Sequence, residues 1–245
     1  MQYHHAVTDW ASADIHVHTT ASDGLYTPRQ VVEWAAGRTD LAVIAITDHD
    51  TMDGAYEAAE IAAQLPIELV LGQEISSTDG HVLALWIRKP VPAGMSALET
   101  VAAVHEQGGI AIAAHPFAPK WWAKHGLCRG DESVYDAVPF DAFEIHNATP
   151  LLFHANLRAR RYTRRRPGRF AITGGSDAHI LSAIGATRTL FRGTTAADLR
   201  RAIEEKTTRV DNTLFWLTRN ARYLAHVPRI VKREREEKRA ADSGR

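Results

Sequence analysis

Short apolar runs that end abruptly in a histidine or an acidic residue recur along this chain, and they constrain its fold more than any other feature. Residues 41–47 (Leu-Ala-Val-Ile-Ala-Ile-Thr) run straight into Asp48, His49 and Asp50. Residues 67–71 lead into Gly72, Gln73 and Glu74, residues 110–114 into His115, and residues 142–145 into His146. Residues 169–173 lead into Gly174, Gly175, Ser176, Asp177, Ala178 and His179. Runs of this kind are the pattern of strands covered on both faces, as in a parallel sheet. Helical patterns lie between them: 28–37, opened by Thr27 and Pro28; 54–64; 96–107, closed by Gly108 and Gly109; 150–166; and 195–205, opened by Thr195. Further strands are expected over 80–87, close enough to pair with its predecessor through a short turn, and over 186–191. The alternation predicts βα units in an α/β fold. A closed barrel brings the strand ends to one mouth, whereas an open doubly wound sheet spreads them along a line. About seven strands with polar ends favour the barrel, as one domain over residues 1–210.

The first strand carries the same logic in compressed form. Asp14, His16 and His18 alternate with Ile15 and Val17, so on a strand they share one face. Thirteen histidines in 245 residues produce close pairs by chance, so the pair alone decides little. With the other strand ends it forms a set: His16, His18, Asp23, Asp48, His49, Glu74, His81, His115, His146, Asp177 and His179. His81 by itself reads as a core histidine, and its place just after Glu74 makes it a candidate ligand. Carboxylates and imidazoles crowded into one cavity repel one another and shift their proton affinities unless cations resolve the charge. Imidazole-rich shells without thiolate suit zinc, manganese or iron, whereas magnesium and calcium prefer oxygen. So many candidate ligands exceed what one ion takes, and two or three divalent ions are expected.

Composition excludes other classes. Basic and acidic residues balance at 29 each, with a pI near 7.3, so no global field argues for a nucleic-acid or membrane partner. A single cysteine, Cys128, rules out an internal disulfide framework and fits a reducing compartment. No apolar stretch reaches the ~20 residues of a membrane helix, and residues 1–11 lack the pattern of a leader. A cytoplasmic protein is expected. Residues 211–245 differ from the rest: 214–227 form an amphipathic pattern with Leu214, Leu217, Ala221 and Leu224 on one side, Pro228 interrupts it, and 231–241 are almost wholly charged. This extension is expected to be a solvated helix or tail.

The ordered motifs resemble those of the PHP (polymerase and histidinol phosphatase) family. They are Asp-x-His-x-His at 14–18, Ser-Asp-Gly at 22–24, Thr-Asp-His-Asp at 47–50, Glu74, His-Pro at 115–116 and Gly-Ser-Asp-Ala-His at 175–179. The resemblance covers residues 13 to about 190. It implies a distorted (β/α)7 barrel with two or three metals that hydrolyses phosphate esters, or serves as a nuclease or a polymerase-linked scaffold. It implies His16, His18, Asp23, His49, Glu74, His81, His115, Asp177 and His179 as ligands, with Glu74 as the bridge. Asp48 would support them from behind and His146 would touch substrate, so Glu74, Asp48 and His146 are the candidates for a catalytic part. Histidinol phosphatases of the family carry a histidine where this chain has Asp23, which disfavours that role. Relatives acting on nucleoside bisphosphates or RNA ends carry a long insertion before the His-Pro strand that this chain lacks. A lid could instead come from 117–139, with Trp121, Trp122, Lys124 and His125, or these side chains simply pack that loop down.

An amidohydrolase also opens with His-x-His but needs a bridging lysine at a strand end, where this chain has none. Neither a Gly-x-Ser-x-Gly elbow nor a Gly-x-x-x-x-Gly-Lys loop occurs. The expected activity is therefore hydrolysis of phosphate monoesters, small organic or nucleotide phosphates, by a hydroxide bridging two cations. Arginine matches phosphate oxygens with a two-pronged bond. Among Arg158, Arg160, Arg161, Arg164, Arg165 and Arg166, Arg158 is the candidate for binding the phosphate. The same cluster could form a basic patch for a polynucleotide, so a nuclease or phosphodiesterase is the alternative. A metal-bound scaffold is disfavoured, because it has no chemical need of a full ligand set.

Overall fold

A computed structural model of the chain describes residues 10–119, 131–149, 152–211, 225–230 and 232–233. Its strands are β1 (Trp10–Asp14), β2 (Val43–Ile46), β3 (Glu68–Ser77), β4 (Gly80–Leu85), β5 (Ile110–Ala113), β6 (Ala142–Asn147), β7 (Ala171–Gly175), β8 (Arg188–Arg192) and β9 (Arg209–Asp211). Between them lie α1 (Pro28–Arg38), α2 (Asp53–Ala62), α3 (Ala97–Glu106), α4 (Glu132–Ala137), α5 (Phe153–Arg164) and α6 (Ala196–Glu204). The strands form one sheet in the order β7-β6-β5-β4-β3-β2-β1-β8-β9. Its ends nearly meet: the Thr189 hydroxyl on β8 accepts from Gly174 N (3.0 Å) and donates to Gly174 O (2.9 Å) on β7. The result is a nearly closed, distorted α/β barrel.

Local sequence explains the helix boundaries. Thr27 and Gln30 form a reciprocal capping box ahead of Pro28, and Ser96 with Glu99 and Thr195 with Asp198 repeat it. Each box satisfies two otherwise orphaned N–H groups, at about 1 kcal/mol per cap. Helix α3 stops where Gly108 turns to φ +70°, which lets Gly109 N reach back to Val104 O at 3.0 Å.

The expectation of a parallel sheet needs correction. Pairs β1–β2, β2–β3, β5–β6 and β6–β7 are parallel, but β3–β4, β4–β5, β1–β8 and β8–β9 are antiparallel. Only Thr78 and Asp79 connect β3 to β4, too little chain for a parallel crossover. Strand β3 also continues past the expected end at residue 71, so Glu74 lies within it, opposite Leu83. The helix expected over 150–166 spans Phe153–Arg164, and α4 and β9 were not anticipated. Residues 225–230 are helical through Pro228, which therefore does not interrupt the helix there. The lid candidates Trp121, Trp122, Lys124 and His125, and Leu214, Leu217, Ala221 and Leu224 of the extension, lie outside the described residues.

Period-two alternation sorts the core. Val43 and Ala45 of β2 join Ala13, Leu83, Ile112 and Phe191 in one buried cluster, into which α6 sends Leu199, Ala202 and Ile203. Ile44 and Ile46 face the other way, against Val32 and Ala35 of α1 and Ala58 of α2. Each Val, Leu, Ile or Phe among them contributes roughly 1.5–3 kcal/mol by leaving water. Helix α6 covers the N-terminal end of β3, where Ala196 N donates to Glu68 (2.7 Å). The opposite strand ends are left to carry the polar groups.

Candidate metal centre

The two histidines after β1 lie beyond its regular ladder but keep the alternation. Val17 is buried, its N–H donating to Thr47 Oγ1 (3.1 Å) and its carbonyl accepting from Thr47 N (2.9 Å). His18 N donates to Ala178 O (2.9 Å), which ties the end of β1 to the loop after β7. The carboxylate of Asp14 is no part of the cluster of imidazoles. It accepts from Ser176 N (3.0 Å) and Gly185 N (2.7 Å), holding the Gly-Ser-Asp-Ala-His loop in place. Burial outweighs these bonds and raises its pKa.

All nine expected ligands converge. Glu74 lies at the centre, with its two oxygens divided between neighbours. Its Oε1 is 2.9 Å from both His81 Nδ1 and His115 Nε2. Its Oε2 is 3.3 Å from His16 Nε2, His18 Nε2 and His49 Nδ1. Asp177 Oδ1 approaches His18 Nε2 (3.1 Å) and His16 Nε2 (3.4 Å), while Asp23 Oδ1 approaches His179 Nε2 (3.1 Å). Four groupings have donor atoms within 4.8 Å of one another: His18, Asp23, His49 and His179; His16, Glu74 and His115; His16, His18 and Asp177; His49, Glu74 and His81. His115 (φ +26°) and Asp177 (φ +53°) adopt the left-handed backbone that non-glycine residues avoid, a strain the surrounding bonds must hold.

The donor set fits divalent cations. His16 Nε2 and both ring nitrogens of His18 are buried and lie 3.1–3.6 Å from carboxylates of the cluster, but none meets them in hydrogen-bond geometry. A buried polar atom left so costs roughly 1–3 kcal/mol, and coordination is what would satisfy it. The charges show the same tension. Burial opposes ionisation throughout, yet neighbouring histidines outweigh it and hold Asp23, Glu74 and Asp177 well below the carboxylate range. For His16, burial is outweighed by Asp177, Glu144 and Glu74, which raise it well above the usual imidazole value. For His49 burial prevails and pushes it down to about 3. The cluster opens to solvent on one side, where the side chains of His49 and His81 are 19% and 10% exposed.

The other expected site residues lie around this cluster. Asp48 is wholly buried and accepts from Thr19 N (2.7 Å), Thr19 Oγ1 (2.7 Å) and Ser22 Oγ (2.6 Å). It braces the turn that delivers Asp23 and belongs to none of the four groupings. His146 lies at an irregularity in the β6–β7 pairing, its Nδ1 2.7 Å from Arg160 Nη2. Arg158 is exposed and stacks its guanidinium over Phe117 (4.5 Å), two residues after His115.

Two residues were missed. Glu144 is 1% exposed, with Oε1 3.0 Å from His16 Nδ1 and Oε2 accepting from His115 N (2.7 Å) and Asn147 Nδ2 (3.0 Å). Asn147 Nδ2 also reaches Asp177 Oδ2 (3.2 Å), which Thr149 Oγ1 meets at 2.9 Å. Such partners orient ligands and set the tautomer of a coordinating histidine. The available signal was a carboxylate between Phe143 and Ile145 in an apolar strand.

Comparison with known proteins agrees with this geometry. A family described as the PHP domain matches residues 14–133, and one described as PHP-associated matches residues 153–208. An uncharacterised protein of Methanocaldococcus jannaschii is 32% identical over 148 residues, covering 56% of this chain and 81% of that one. A 3',5'-nucleoside bisphosphate phosphatase of Chromobacterium violaceum is 38% identical over 95 residues, but the match spans 37% of this chain and only 33% of that enzyme. A two-domain protein of Bacteroides vulgatus containing a predicted PHP-like metal-dependent phosphoesterase superposes with a TM-score of 0.63 at 21% identity, covering 82% of this chain and 64% of that one.

Proposed function

Because the chain belongs to the PHP family of metal-dependent phosphoesterases, we propose that it hydrolyses phosphate monoesters of small organic or nucleotide compounds. The observation that carries this reading is the convergence of nine imidazole and carboxylate ligands into four overlapping groupings around Glu74. In this reading His16, His18, Asp23, His49, Glu74, His81, His115, Asp177 and His179 hold two or three divalent ions, of zinc, manganese or iron. Bound there, such ions supply positive charge for the phosphoryl oxygens and lower the pKa of an attacking water.

The chain's own side chains do the rest. Glu74 belongs to two groupings, so one carboxylate fixes their spacing. The half-open rim of His49 and His81 admits the phosphate while the remaining ligands stay shielded from water. His146, whose Nδ1 accepts from Arg160 (2.7 Å) at the irregularity of β6, touches the substrate in this reading. Arg158, beside the His115 loop, binds the outer part of the substrate. Asp48 keeps the Asp23 turn in place. Residues 1–210 form the catalytic unit, and 211–245 an extension to it.

A polynucleotide reading gains little from the arginines near α5. Arg166 is engaged by Asp136 through two bonds of 2.7 Å, Arg169 shares that carboxylate (3.1 Å), and Arg160 is held by His146. Among the described residues no helix is long and apolar enough to cross a membrane. The test is phosphate release from an aryl monoester and a panel of nucleotide and sugar phosphates, after loading with Mn²⁺ or Zn²⁺. Turnover of monoesters above that of a bis-aryl diester supports the proposal. Cleavage of diesters or oligonucleotides with inert monoesters would replace it by the nuclease alternative.

A further inference from the structure

The described part of the C-terminal extension, 225–230 and 232–233, packs against the domain. Ile230 is 4% exposed and joins the cluster of Val17, Ala178 and Ile184, with Val227 packed against it. This seats Arg233 beside the turn after β1. Arg233 Nη2 donates to Thr20 O (2.6 Å) and its Nε to Ser22 O (3.0 Å), while Ser22 N and Gly24 N both turn inward to Thr19 O (3.1 and 2.9 Å). The two carbonyls flank Ala21, and the second belongs to the residue immediately before Asp23. Asp48 grips the same turn from inside through Thr19 and Ser22. The turn that delivers Asp23 is thus held between a buried carboxylate and a guanidinium from more than two hundred residues away.

From this we infer that Arg233 is a positioning residue for the ion held by His18, Asp23, His49 and His179. It acts by fixing the Thr20–Ala21 and Ser22–Asp23 peptide planes, and so the direction in which Asp23 enters the cluster. Through Arg233 the described part of the C-terminal extension then supports the metal centre. The inference rests on the proposal that this cluster binds divalent cations.

Full-length wild type, Arg233→Ala and Arg233→Lys are titrated with Mn²⁺ alone, free ion being counted by its paramagnetic resonance signal, with and without metal melting curves in parallel. Loss of a partner that orients a ligand typically weakens metal binding about 10–100-fold. Arg233→Ala is expected to lose that factor at one site class and leave the others unchanged. Arg233→Lys, which keeps a charged donor for one carbonyl, is expected to recover part of it. The metal-free melting temperature should move little while the metal-induced rise shrinks, which separates positioning from a general loss of fold. Equal affinity and stoichiometry in all three proteins would overturn the inference, as would an equal loss at every site together with a lowered metal-free melting temperature. A wild type that binds no Mn²⁺ would instead overturn the metal-centre proposal itself.

Discussion

Replacing Glu144 by glutamine tests how the cluster is prepared for metal. The carboxylate serves three donors: His16 Nδ1 at Oε1, and both His115 N and Asn147 Nδ2 at Oε2. Glutamine has the same shape but only one acceptor oxygen. That oxygen settles where two donors meet, at the Oε2 position, and the new amide group then faces His16 Nδ1. In the neutral ring that ligates, His16 must then accept there, which puts its one proton on Nε2. This is the atom 3.3 Å from Glu74 and 3.4 Å from Asp177, the one aimed at two of the four groupings. A protonated nitrogen cannot ligate. Glu144→Gln is therefore expected to weaken the ions that share His16 by about 10–100-fold, or about 1.4–2.8 kcal/mol at 1.4 kcal/mol per decade. Losing charge-assisted character in these bonds costs the metal-free protein about 1–2 kcal/mol. Mn²⁺ titration with thermal melts in the presence and absence of metal reads both effects. Wild-type metal affinity in a folded Glu144→Gln protein would refute the argument that Glu144 sets the His16 tautomer.

Other variants probe the supports separately. Asp48→Asn keeps an acceptor for Thr19 N and Ser22 Oγ, so it should lower stability by about 1 kcal/mol in urea unfolding and retain most of kcat; a loss of about 100-fold or more, typical of a removed acid or base, would place Asp48 among the reacting groups. Gly175→Ala would place a Cβ 2.5 Å from Glu144 Oε1 and 2.5 Å from His16 Cβ, both buried. It should cost about 1–3 kcal/mol and lower metal affinity, and an unchanged melting temperature would show that the pair can yield. The pH dependence follows from His18, where burial favours the neutral ring but Asp177 and Glu74 outweigh it and raise the group to about 10 from 6.5. Its proton stabilises the metal-free fold fully below pH 6.5, and that contribution is lost as pH rises toward 10. Ligation displaces the same proton, so the metal-induced rise in melting temperature should grow across this window; a rise that is flat with pH would contradict it.

The side chains that converge were legible because a strand end is a local event: an apolar run stops and a polar side chain follows, as at His49, His115 and Asp177. The N-caps at Thr27 and Thr195 were legible for the same reason. Pairing direction was harder to read, since the β8 sequence does not reveal that it runs antiparallel to β1. Six-residue α4 and three-residue β9 are too short to show a period. Glu144 hid inside a strand because its partners, His16 and His115, are distant in sequence. Arg233 hid among charges of both signs, where nothing local distinguishes a side chain that docks from one that faces water.

The central claim is that residues from separate strand ends share one group of divalent ions, bridged by Glu74. Anomalous diffraction from crystals of the zinc- or manganese-loaded protein tests it most directly. The account predicts two or three anomalous peaks, with Glu74 oxygens on more than one and the nitrogens of His16 and His18 facing them. A map with no peak among these side chains, or with a single ion that leaves Glu74 uncoordinated, would contradict it.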